Sequence, residues 1–236
     1  MREPKDTVTD YRTRTEQAKQ ARRDSSPAAV ARLHAQRDDQ GSTPYCIGLT
    51  GNIATGKSTV GRMLASLGAE LIDADKVAHV VMAPAGSAYA GVVEAFGPDI
   101  VGDAGEIDRR ALGRIVFADP EALKRLESLV HPAVIAEVNQ RIARSTAPAV
   151  VVEAIKLLES GMAESYDAIW VTTCSEETQL ARLMETRGLS GEDALVRVRA
   201  QAPQAEKVLC ADVVVDTDGT MAATRAQVDT AWADIQ

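Results

Sequence analysis

The sequence predicts a doubly wound α/β fold, a parallel five-stranded sheet layered between helices, and two observations predict it. Five Val- and Ile-rich runs, too short for helices, alternate with eight longer stretches of helical periodicity. Between the first run and the first helical stretch stands a glycine-rich turn, GNIATGKS, at the edge of such a sheet where ligands sit. A chain of 236 residues with 45% hydrophobic content carries enough apolar surface for a core of this size.

Charge and ring content exclude one class of function. The 26 Lys and Arg face 34 Asp and Glu, a net of −8, and aromatics make up 3% of the chain. A face that grips nucleic acid wants clustered positive charge and stacking rings, so no nucleic-acid partner is expected. No window approaches the roughly 18 to 20 apolar residues of a membrane span, and the polar start lacks a signal peptide's apolar region. The chain is therefore expected to be soluble and cytoplasmic, without a membrane partner.

The elements follow in order. Residues 1–43 hold 9 Lys and Arg, 7 Asp and Glu, and almost no bulky apolar side chain beyond Val8, Val30 and Leu33. Such a segment cannot offset its ordering entropy, so it reads as a disordered or partly helical extension, either a partner-binding arm or a solvated leader. Composition changes at about Pro44. The runs YCIGLT (45–50), AELI (69–72), PAVVVE (148–153), AIWVTT (168–173) and ADVVVD (211–216) are apolar on both faces, as buried parallel strands must be. Helices are expected at 57–67, 74–82, 86–96, 108–117, 119–145, 176–187, 190–202 and 219–234, with Asp119-Pro120 and Ser190 as start signals. Cys46, Cys174 and Cys210 lie far apart with no CxxC pair, so they read as small core residues. Trp170 reads as core, and Trp232 as the anchor of the last helix.

GNIATGKS fits GxxxxGK[ST] at every fixed position. A strand must turn tightly into a helix while its amides point at one phosphate chain, and side chains at the glycine positions would block that approach. Gly51, Asn52, Ile53, Ala54, Thr55, Gly56, Lys57, Ser58 and Thr59 are thus expected to bind a nucleoside triphosphate. Lys57 reaches the outer phosphates, Ser58 offers its hydroxyl to Mg²⁺, and the following helix presents its positive end to the anion. Three classes compete for the γ-phosphate: a GTPase switch, a motor-type ATPase and a small-molecule kinase. No guanine-reading NKxD is present, and the strand that should end in Asp-Glu in a motor ends in Glu153-Ala154. In LIDADKVAH, Asp73 and Asp75 fall just beyond the second strand. Either they face Mg²⁺ and a hydroxyl or they cap the helix that follows, as Asp73 in particular could, and Asp75 is assigned as the base that accepts a hydroxyl proton.

GLTGNIATGKSTV followed by LGAELIDADKVAH resembles the dephospho-CoA kinase family, and further matches follow in order: IDRRALGRIVF, LESLVHP, ETQLARLMETRGLS, RVRAQ and ADVVVDTDG. The resemblance covers Tyr45 to about Trp232. It implies a three-layer P-loop kinase fold, with acceptor-binding helices at about 75–147 and a lid near 180–205. It also implies transfer of the ATP γ-phosphate to the ribose 3′-hydroxyl of dephospho-CoA, with Mg²⁺. It supports Lys57, Ser58 and Asp75 in the roles given, and sets Arg109 and His131 in the acceptor region. The alternatives there are a solvated helix charge for Arg109 and a helix residue before a kinking proline for His131. Arg182 and Arg187 fall on the lid helix, and Arg187, beside Gly188, is the preferred catalytic arginine; Arg197 and Gln201 also match.

Three departures stand out. Asn52 and Ala54 replace two glycines of the family's usual loop at positions the motif leaves variable. In EAIKLLESG (153–161) the family usually shows Pro-Leu-Leu-Phe-Glu; Lys156 stands in place of the proline, and Glu159 and Ser160 lie near the position of the glutamate. Glu153 and Lys156 are expected to bind the acceptor, with a strand-end ion pair as the alternative. Thr217 stands where the family has Asn, near the adenine. The altered segment keeps open a different hydroxylated acceptor, such as another nucleoside, and a non-catalytic nucleotide-binding regulator remains the reading from another class.

Overall fold

A central strand flanked by parallel neighbours sets the frame of the molecule. The computed structural model describes residues 44–235, and the expected extension over 1–43 lies outside the described residues. Strand β1 (Tyr45–Thr50) pairs in parallel with β3 (Ala149–Glu153) on one side and β4 (Ala168–Thr173) on the other. β4 carries β5 (Val213–Asp216), and β2 (Glu70–Asp73) completes the order β2-β3-β1-β4-β5. The five apolar runs are the five strands of one parallel sheet.

The described chain forms two compact units, Ile72–Ser145 and the residues before and after it. In the sheet unit, α1 (Lys57–Ser66) follows β1, α6 (Glu176–Arg187) and α7 (Gly191–Arg199) follow β4, then come α8 (Gln204–Leu209) and, after β5, α9 (Met221–Ala233). Ile47, Leu49, Leu64, Val151 and Trp170 are buried in one core that also takes Val228 and Trp232 of α9. The indole N–H of Trp170 has no partner there. A lost hydrogen bond costs about 1–3 kcal/mol, whereas burying an indole of roughly 200 Å² is worth about 5 kcal/mol, so packing wins. All three cysteines are buried and none is in a disulfide.

The other unit holds α2 (Ala74–Val81), α3 (Tyr89–Phe96), α4 (Arg109–Ala118) and the long α5 (Pro120–Arg144). Val130, Val134 and Val138 recur at four-residue spacing and form the buried face of α5. Pro120 starts the helix behind its Asp119 cap, and Pro132 lies inside it without ending it.

Three expectations need correction. The helix expected at 190–202 stops at Arg199, and a separate helix, α8, begins at Gln204. The cause is Pro203, which lacks an amide hydrogen and drives Ala202 out of helical geometry. The helix expected from residue 86 starts at Tyr89, because residues 83–88 form a turn closed by Gly86 N–H to Ala83 O (2.7 Å) and Ala88 N–H to Val81 O (2.9 Å). The last strand starts at Val213 and not at 211, since the Asp212 carboxylate accepts from the Ile169 amide (2.8 Å) ahead of the ladder.

Candidate active site

The loop between β1 and α1 is built on glycines that admit no side chain. Gly51 has φ 151, and a Cβ there would lie 2.4 Å from Thr172 Oγ1 and 2.6 Å from the Thr172 carbonyl oxygen. Gly56, at φ 86, precedes α1 with its would-be Cβ 3.2 Å from Thr217 Cγ2. Between them Thr55 is fully buried, its hydroxyl 2.8 Å from the Asn52 carbonyl and 2.7 Å from Thr172 Oγ1. Lys57 is buried, and its ammonium donates to the carbonyls of Gly51 (2.9 Å) and Asn52 (3.0 Å), which sets it inside the loop. Thr59 contributes its backbone to the first turn, while its hydroxyl accepts from Arg62 Nη2 at 3.2 Å.

Three of the loop's four variable residues, Asn52, Ile53 and Ala54, are held by residues between 179 and 202. Asn52 Nδ2 donates to Ala202 O (2.9 Å), the Ile53 amide donates to Gln201 Oε1 (2.6 Å), and Gln179 Nε2 donates to Ile53 O (2.7 Å). Ala54 adopts φ 59, a left-handed conformation costing a non-glycine residue roughly 1–2 kcal/mol. Its carbonyl accepts from Arg182 Nη1 (3.1 Å), and Ile53 and Ala54 pack on Leu183, Ala194 and Val198 of α6 and α7. Several partners thus fix a conformation the local sequence would not choose.

Arg182 also donates to Thr217 Oγ1 (2.9 Å) and Thr217 O (2.6 Å), and Thr217 in turn donates to Thr55 O (3.0 Å). Thr217, expected near the adenine, is a buried strut between the loop and the end of β5. Arg187 is exposed at the end of α6, where Gly188, at φ 62, closes the helix through its amide to Met184 O. Of the two arginines expected on a lid helix, Arg182 is bound to the loop backbone and Arg187 is accessible.

Ser58 Oγ donates to Glu153 Oε1 at 2.7 Å, and Glu153 is only 8% exposed. Sequence reading grouped Glu153 with the acceptor-binding residues; the structure sets it on the hydroxyl expected at Mg²⁺. A hydroxyl and a buried carboxylate form an all-oxygen donor set, which fits a hard, partly hydrated ion shared with phosphate. Among the described residues no group of three His, Cys, Asp or Glu side chains makes a metal cage by itself. Lys156 is exposed in the turn after β3, where Leu157 and Leu158 are buried. The Ile155 carbonyl of that turn accepts from Thr50 Oγ1 (3.2 Å) and from Lys207 Nζ.

In the helical unit, Asp73 caps α2: its carboxylate accepts from the Lys76 amide and pairs with Lys76 Nζ, both at 3.0 Å. Asp75 is exposed in the first turn of α2. One turn on, His79 is held below the usual imidazole range, first by desolvation and next by the Arg109 guanidinium, against the opposite pull of Asp75 and Asp73. Asp75, His79 and Arg109 therefore share one electrostatic neighbourhood. Arg109 is the first residue of α4, whose cap, Asp108, accepts from the amides of Arg110 (2.8 Å) and Ala111 (3.2 Å). These amides draw the Asp108 carboxyl below its ordinary range. His131 is half-buried within α5.

Sequence reading gave no role to Gln179, Gln204 or Lys207, and offered Gln201 only as a match. For Gln201, Gln204 and Lys207 the available signal is a cluster of long polar side chains, QAPQAEK, directly after α7.

Comparison with known proteins adds the family. A family model described as dephospho-CoA kinase matches residues 45–223. A dephospho-CoA kinase of Symbiobacterium thermophilum is 47% identical over 189 residues, covering 79% of this chain and 79% of that protein. One of Carboxydothermus hydrogenoformans is 45% identical over 185 residues, covering 77% and 90%. Among solved structures, a Thermus thermophilus protein matches with TM-score 0.73 and 35% identity over 83% of this chain and all of that one. The dephospho-CoA kinase of Campylobacter jejuni matches with TM-score 0.61 and 30% identity, over 80% of this chain and 96% of that one.

Proposed function

Since the chain belongs to the dephospho-CoA kinase family, we propose that it transfers the γ-phosphoryl group of ATP to the ribose 3′-hydroxyl of dephospho-CoA, giving coenzyme A and ADP, with the following division of labour among its residues. The observation that carries the assignment is the convergence of Lys57, Ser58 and Glu153 on one glycine-built loop.

Residues 51–59 bind the phosphates through loop amides and the positive end of α1. Lys57 exchanges two loop carbonyls for phosphoryl oxygens by moving only its terminal ammonium, so little ordering is left to be done during transfer. Ser58 and Glu153 would hold Mg²⁺, which when bound neutralises charge on the β- and γ-phosphates. Glu153 fixes the Ser58 hydroxyl through a 2.7 Å hydrogen bond. Asp75 takes the proton of the 3′-hydroxyl from its exposed place in the first turn of α2. Arg109, His131 and Lys156 bind the acceptor, Arg187 meets the transferring phosphoryl group from the lid, and Arg182 braces the loop. The reaction belongs to the cytoplasm, a reducing compartment in keeping with three buried cysteines outside any disulfide; among the described residues no helix is long and apolar enough to cross a membrane.

The test is purified protein with Mg-ATP and dephospho-CoA, following ADP release and the mass gain of one phosphoryl group on the acceptor. Coenzyme A is the expected product. ATP binding without coenzyme A formation, or transfer to another nucleoside in its place, defeats this reading.

Glu153→Gln keeps an acceptor for Ser58 and removes the charge. The Mg²⁺ concentration for half-maximal rate should rise about 10- to 100-fold, as for other residues that orient a metal ligand. An unchanged Mg²⁺ dependence removes Glu153 from that role.

A further inference from the structure

Lys207 is buried, 4% exposed, in a unit where the chemistry described above does not use it. A buried ammonium must be compensated by hydrogen bonds and opposite charge. Here it donates to the Ile155 carbonyl and pairs with Glu159 Oε1 at 3.1 Å. Both partners belong to the turn that begins directly after Glu153. The Ile155 carbonyl is also the acceptor for Thr50, the last residue of β1 before Gly51. One carbonyl thus ties the turn to the strand that feeds the phosphate loop and to the segment that follows the lid helices.

That segment reaches three loops at the carboxyl edge of the sheet. Gln201 and Ala202 bond to Ile53 and Asn52 of the phosphate loop. Gln204 Nε2 bonds to the Thr173 hydroxyl and, at 3.0 Å, to the Cys174 carbonyl at the end of β4. Lys207 alone among these four extends to the turn after β3. The four contacts sit within seven residues broken by Pro203, which ends α7 and aims the chain into α8.

We infer that Lys207 is a positioning residue for the acceptor: it fixes the turn 154–161, which carries Lys156, while Gln201 serves the ATP side. This rests on the assignment of Lys156 to the acceptor given above. The two arms of the segment then act on different substrates. Loss of Lys207 loosens a turn still anchored by buried Leu157 and Leu158, and both ammonium partners lost, Ile155 O and Glu159, lie outside residues 51–57.

The test uses the full chain with Lys207→Met, which keeps the apolar stem, with Lys207→Arg, with Glu159→Gln, and with Lys207→Met combined with Glu159→Gln. Lys207→Met should lower kcat/KM for dephospho-CoA about tenfold to a hundredfold, the scale on which misplaced binding groups act, mainly through KM. KM for ATP should stay within about twofold, below what loss of a phosphate contact would cause. Amide hydrogen exchange should quicken in 154–161 and not in 51–59. Lys207→Arg should recover part of the loss, and the double variant should be no worse than Lys207→Met. An unchanged acceptor KM with unchanged exchange in 154–161, or a parallel rise in the KM for ATP, overturns the inference. Should Lys207→Met fail to fold, Glu159→Gln, altering a half-exposed carboxylate, gives the same readings with a smaller shift. A wild-type protein that makes no coenzyme A defeats the proposed function, and exchange in 154–161 still decides whether Lys207 holds the turn.

Discussion

Replacing Lys57 with alanine is expected to leave a folded protein whose turnover falls by about 10³-fold, the scale for removing a preorganised donor from a transferring charge. Lys57 stands where the loop becomes α1, and its ammonium is held by the loop carbonyls of Gly51 and Asn52. Without it, the carbonyls of Gly51 and Asn52 each lose a donor, a destabilisation of about 1–3 kcal/mol. The apolar side of α1 is unaffected, because Val60 and Leu64 remain fully buried. Thermal melts should shift by several degrees while remaining cooperative, and steady-state assays should show near-complete loss of phosphoryl transfer. Turnover equal to that of the unaltered protein would mean that the loop is not the phosphate site.

The second large effect is expected from Asp75→Asn, which should lower kcat by roughly 10²- to 10⁴-fold, the range for losing a general base, with ATP affinity retained. The substitution keeps size and removes the capacity to hold a proton. It spares the start of α2, since the cap comes from Asp73 through the Lys76 amide. Asp73→Ala supplies the contrast: it removes the cap, about 1 kcal/mol of stability, and should leave proton transfer intact. A kcat for Asp75→Asn near that of the unaltered protein removes Asp75 from the role of base.

Much of the architecture was legible because its causes are local. Strands β1 and β4 and helix α6 fall at the boundaries their sequences predict, since apolar runs without helical spacing can only be buried strands. The break at Pro203 has a local cause too, since proline lacks an amide hydrogen and restricts the residue before it. The left-handed Ala54 was not legible, because nothing next to it asks for that conformation. Contacts from α6 and α7, more than a hundred residues away, impose it.

Spacing within a few residues was enough to specify the phosphate loop and the parallel sheet, whereas the choice of Asp73 over Asp75 as the cap of α2 needed the structure. Only the tertiary structure decided what the side chains serve. The register of β1 against β3 sets Leu49 beside Glu153, so the Glu153 carboxylate meets Ser58 across 95 positions of sequence. A slip of one residue would turn that carboxylate to the other face of the sheet. Arg182 and Thr217, 35 positions apart, and Lys207 and Ile155, 52 apart, meet for the same reason. Hydrogen bonds between distant segments depend on how strands pair and helices return to them, and linear spacing carries no record of that.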